Sequence, residues 1–115
     1  FTEEFATKNP ERIERYLQAR FGHLCPVEFN LRHLIARQEH DTSGRLKDIR
    51  VPTLILIGDD EHEASSDISH LASTNVLAEG IPHARVVTLP GVRHAYFFSN
   101  PELVHRTIRE FLKER

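Results

Sequence analysis

VPTLILIGDDE, residues 51–61, is a Pro-led apolar run that ends at Gly58 and turns at once into acid. The run is short, partly β-branched and without a helical stripe. That suits a parallel strand over 51–57, buried on both faces. Downstream, Ile68, Leu71, Ala72 and Val76 mark a helix over about 66–79, stopped by Gly80. RVVTL at 85–89 reads as a second strand. Pro90-Gly91 opens a loop to residue 99. Asn100 caps a last helix with Pro101 at its first position; Val104, Ile108, Phe111 and Leu112 face inward. Residues 51–115 are therefore strand–helix–strand–helix, a β-α-β unit with a closing helix and a short parallel sheet.

Upstream of residue 51 the chain has another character. Asn9, Pro10 and Glu11 open a helix over 9–21, with Ile13, Tyr16, Leu17 and Phe21 on its apolar side and Gly22 as stop. Pro26 opens a second helix over 26–39, in which Val27, Leu31, Leu34 and Ile35 share a face. HDTSG at 40–44 is a polar turn, and a short helical turn fits 45–49. The boundary between the two segments, 1–50 and 51–115, falls near residue 50. Asn-Pro-Glu at 9–11 and again at 100–102 reads as one helix-start solution used twice.

Composition narrows the function classes. With 15 basic and 17 acidic residues the net charge is −2, which offers no general attraction to nucleic acid or to an anionic membrane surface. At 39% apolar and 28% charged, the 115 residues suit one soluble domain or part of one. No apolar run is long enough to span a bilayer and no signal peptide is seen, so a cytoplasmic location is expected. Cys25, the single cysteine, excludes an internal disulfide and a multi-cysteine zinc site. It is expected to be a small buried hydrophobe. The chain has no methionine and starts at Phe1, so a processed product or an excised piece of a longer protein is expected.

In open α/β sheets chemistry gathers beyond the carboxyl ends of the strands. Two loops qualify here. The first holds Asp59, Asp60, Glu61, His62 and Glu63; the second holds Arg93 and His94. A carboxylate in one and a histidine in the next lie at the same sheet edge. The carboxylate fixes the imidazole tautomer and stabilises the imidazolium, so the histidine can work as general base and acid. A metal cluster of Asp59, Glu61, His62 and Glu63 is a weaker reading: zincin spacing needs a histidine at 66, where serine stands. No metal site is assigned. No glycine-rich phosphate loop follows a strand, so no cofactor is expected. His62 and His70 are expected to face solvent. Tyr96, Phe97 and Phe98 are expected to pack the last helix or to floor a pocket.

In combination, VPTLILIGDDE, IPHARVVTLPGVRHAYFFSNPE (81–102) and LVHRTIREFL (103–112) resemble the C-terminal part of an α/β-hydrolase. The resemblance covers roughly the last 65 residues; the helical segment 1–50 resembles the family's cap by position and helicity. It implies a partial α/β-hydrolase fold with an N-terminal cap-like segment. The family's Gly-x-x-Asp places the acid at Glu61, where this chain carries glutamate, with Asp60 as runner-up. The family's Gly-His pattern, spaced here from Gly91, places the base at His94. The nucleophile elbow Gly-x-Ser-x-Gly is absent from the 115 residues. The resemblance implies that it lies upstream, on the first half of the sheet.

The implied function is that of a C-terminal fragment, inactive alone, which supplies the acid and histidine for hydrolysis of an ester-like or related small molecule. Esterases, lactonases, C–C bond hydrolases and enzymes with an aspartate nucleophile all fit this half. The rival is a non-catalytic, hydrolase-like module kept for binding or oligomerisation. Two parallel strands with a free edge also lead us to expect a homo-oligomer.

Overall fold

Strands β1 (Leu54–Gly58) and β2 (Arg85–Leu89) pair in parallel, in register from Leu54 opposite Arg85 to Gly58 opposite Leu89. The computed structural model that carries them describes residues 1–59 and 70–114. In chain order the elements are α1 (Glu3–Lys8), α2 (Pro10–Phe21), α3 (Val27–Glu39), a 3-10 turn (Ser43–Asp48), β1, α4 (His70–Gly80), β2, α5 (Tyr96–Ser99) and α6 (Pro101–Lys113). They form two compact units, one of residues 4–42 and one of residues 1–3 with 43–115. The expected parallel strand–helix–strand–helix order is present in the second unit. It is a mixed architecture of helices and a short parallel sheet, compatible with the α/β class.

Alternation along the strands sets the layers of the second unit. Leu56 and Val87 lie opposite each other, as do Gly58 and Leu89. Their face carries the core of Leu89, Val92 and Val104, against which Leu56, Val87, Tyr96, Leu103 and Ile108 pack. Ile55 and Ile57 point to the opposite face and are also buried, so β1 is enclosed on both sides as its unbroken apolar run requires. β2 is covered on one face only: Val86 and Thr88 are exposed. The strand itself begins at Leu54, later than expected. Thr53 still joins the ladder, because its carbonyl accepts the Arg85 N–H at 2.9 Å.

Helix α4 packs on β1 and on the 3-10 turn, but with a different face from the one its apolar residues suggest. Leu71 and Val76 are exposed, and Ile68 lies outside the described residues. The inward side runs instead through Thr74 and Ala78 to Ile81 just past the helix end. Helix α6 behaves as expected. The Asn100 side-chain oxygen accepts the Leu103 N–H at 3.3 Å, Val104 is fully buried and Ile108 joins the core; Leu112, expected inward, is exposed.

The first unit contains α2 and α3 close to the expected bounds. Among its described helices no residue is buried. Leu17 and Phe21 on the apolar side of α2, and Val27, Leu31, Leu34 and Ile35 on the shared face of α3, are all exposed. Cys25, expected to be buried, is exposed too. Three helices in 39 residues enclose too little volume for a dry interior.

Candidate active site

Both loops singled out in the sequence leave the sheet at its carboxyl edge. β1 runs into Gly58 and Asp59; β2 runs into Pro90, Gly91 and the segment leading to His94. Of the two candidate acids, Asp60 and Glu61 lie outside the described residues, as do His62 and Glu63. The described geometry is that of Asp59 and of the histidine loop.

The loop is tied to β1 at three successive points. First, Asp59 continues the ladder by donating its N–H to the Leu89 carbonyl at 3.0 Å. Its carboxylate then accepts the Gly91 N–H at 2.6 Å, across 32 residues of sequence. Gly91 has φ of 69°, in the left-handed region where a side chain is strained, and this turn swings the chain back over β1. Second, the backbone of Val92 rides on Gly58. A Cβ at Gly58 would stand 2.1 Å from the Val92 carbonyl oxygen, so only glycine fits. Val92 itself is 5% exposed and lies in the core with Leu89 and Val104.

Third, the Tyr96 hydroxyl donates to the Leu56 carbonyl at 3.1 Å. In a parallel ladder, alternate residues of a strand bond to the same neighbour. Thr53 and Asp59 bond to β2, so Leu56 turns its carbonyl to the other edge, and Tyr96 caps it there. Helix α5, which carries Tyr96, falls inside what reads from the sequence as loop. Of the aromatic run, Tyr96 packs the core as expected, Phe98 meets Phe1 with ring centroids 5.4 Å apart, and Phe97 is exposed.

His94 stands between these anchors, with Val92 and Tyr96 two residues away on either side. Its own side chain is exposed. Its ring stacks on that of His70, the first residue of α4, with centroids 4.3 Å apart and planes 16° from parallel. His70 is solvent-facing as expected, but its contact with His94 is not legible in sequence. An exposed imidazole on a fixed backbone is suited to exchange protons with a group approaching from solvent or from another polypeptide segment. Sequence reasoning missed three contributors: the Asp59 clamp, the His70 stack and the Tyr96 hydroxyl. Asp59 was hidden in an acidic run, and no local spacing signals the other two.

Comparison with known proteins gives one further observation. No family model matches the chain. A protein of Azorhizobium caulinodans named "Putative carbamate hydrolase RutD" is 36% identical over 74 residues, which are 64% of this chain and 26% of that protein. The chain thus spans about a quarter of the length of the curated relative it matches. Over that stretch it is similar to a hydrolase, in keeping with an α/β-hydrolase relationship for part of the chain.

Proposed function

We propose that this chain is the acid-and-histidine part of an α/β-hydrolase catalytic site, with His94 as general base and Glu61 as the acid that orients it. The observation that carries the reading is the histidine loop: three contacts with β1 hold its backbone at the carboxyl edge of the sheet while the imidazole stays exposed. Asp59 Oδ1 already accepts the Gly91 N–H at 2.6 Å, and in this reading the acid is Glu61, two residues beyond it in the sequence. A serine hydroxyl from another segment would attack a carbonyl carbon and give its proton to His94. Glu61 would stabilise the imidazolium, which would hand that proton to the departing alcohol or amine and leave an acyl-serine; His94 would then deprotonate a water that attacks this ester, releasing the acid and restoring the serine. The name of the partial relative supports a carbamate as the substrate class, and an ester-like substrate is what the family resemblance implies.

The sequence translated ahead of Phe1 and two assays test this. A Gly-x-Ser-x-Gly upstream is expected, as is turnover of a p-nitrophenyl ester or an aryl carbamate by the joined polypeptide, meaning that upstream segment together with these 115 residues. The 115 residues alone are expected to be inactive. In the joined polypeptide, His94→Ala and Glu61→Gln should each lower kcat by roughly 10³-fold or more, because the base or its orienting anion is lost. Asp60→Asn should cost far less; the reverse ranking reassigns the acid to Asp60. Ester turnover by the 115 residues alone, abolished by His94→Ala, overturns the claim that the nucleophile comes from elsewhere.

A second reading is favoured by the exposed apolar residues of α2 and α3 and by glutamate at 61 where the resembled family has aspartate. It is a non-catalytic module for binding or oligomerisation. An upstream sequence lacking any nucleophile elbow would select it.

A further inference from the structure

Asp59 has no assigned part in the chemistry, yet it makes the contact that fixes the start of the histidine loop. Its carboxylate meets the Gly91 N–H at 2.6 Å, and its own N–H is held by the Leu89 carbonyl at 3.0 Å. An ionised acceptor on a backbone donor is the stronger kind of hydrogen bond. The donor belongs to the left-handed Gly91, three residues before His94. Next to it, the Val92 carbonyl rests where Gly58 lacks a side chain. The carboxylate and the bare Gly58 therefore act together. One pulls the loop down onto β1 and the other lets it come close.

We propose that Asp59 is a positioning residue: its carboxylate, through the Gly91 N–H, sets where the backbone of His94 stands above the end of β1. The proposal rests on the reading of His94 as the base, but its structural half can be measured without any activity. Asp59 does not touch the reacting atoms in this scheme; it acts through the loop. The candidate acids Asp60 and Glu61 follow Asp59 directly in the sequence.

Amide exchange and NMR on the 115-residue chain test the clamp. In Asp59→Ala, protection of the Gly91 amide should fall by about tenfold or more, since the charge-assisted bond is gone. The His94 ring resonances and their contacts to His70 should shift. Asp59→Asn keeps a side-chain oxygen in place without the charge and should fall between the two. It also serves if the alanine variant does not fold. Unchanged Gly91 protection and unchanged His94 resonances in both variants overturn the proposal.

In the joined polypeptide, Asp59→Ala should lower kcat at least tenfold with KM within about twofold, and Asp59→Asn should recover part of the loss. A lowered Gly91 protection together with full kcat overturns the positioning role. Loss of protection in a joined polypeptide that shows no His94-dependent hydrolysis refutes the hydrolase reading instead, and leaves the clamp standing.

Discussion

At Gly58 the sequence and the structure agree for different reasons. As sequence, the residue ends an apolar run and reads as a strand terminator. In the fold it is the floor on which Val92 lies, with the missing Cβ only 2.1 Å from a carbonyl oxygen. Such an approach comes from two segments more than thirty residues apart, so nothing local announces it. Gly91 is the opposite case: a Pro-Gly pair announces a turn, and a φ of 69° is what such a turn uses. The difference yields a prediction. Gly58→Ala forces backbone to move, because the obstructing atom is not the end of a flexible side chain. It should destabilise the chain by roughly 3 kcal/mol. Gly91→Ala meets no atom within 4 Å and suffers only the left-handed backbone, which costs about 1–2 kcal/mol. Urea denaturation of both variants checks the order. Equal losses would mean that the loop does not rest on Gly58.

Among the elements, the strands and the last helix were readable because their signals are strong and local. β1 is apolar throughout and enclosed on both faces; α6 has a cap, a proline and an inward stripe. α4 was readable as a helix but not in its orientation. Its apolar residues suggest one face, while the side that is covered carries Thr74 and Ala78. α1 and α5, at six and four residues, are too short for periodicity to register. The two Asn-Pro-Glu starts are a sharper lesson. Asn100 caps α6 through its side-chain oxygen, as its type favours. Asn9 opens α2 with its backbone carbonyl, which accepts the Arg12 and Ile13 N–H groups at 3.1 Å each. Its side chain does not cap; its amide donates to the Phe5 carbonyl at 2.9 Å. One motif thus has two uses. Asn100→Ala should cost about 1 kcal/mol of stability by loss of the cap. Asn9→Ala should cost under half of that. Thermal or urea melts of the two variants compare them directly, and equal losses would remove the distinction.

For the molecule as a whole, what remains uncovered matters more than what is packed. The described sheet has two strands, and β1 turns the N–H and C=O groups of Leu54, Leu56 and Gly58 away from β2. The Leu56 carbonyl is capped by Tyr96, a local answer at one point of that edge. The helical unit shows Phe21, Leu24, Phe29, Leu31, Leu34 and Ile35 as exposed apolar side chains. Apolar patches of that kind mark association surfaces, and an open strand edge is a second one. Among the described residues no helix is long and apolar enough to cross a membrane. Self-association is the simplest way to cover these surfaces, and a two-fold pair is the commonest closed form. The 115-residue chain is therefore expected to be a dimer or larger at micromolar concentration, by size-exclusion chromatography with light scattering. Replacing Leu31 and Ile35 by glutamate should shift it toward monomer if α3 is in the contact, because buried charges oppose association. Dimers that persist in this variant would exclude Leu31 and Ile35 from the contact. A well-folded wild-type monomer under the same conditions would refute self-association altogether.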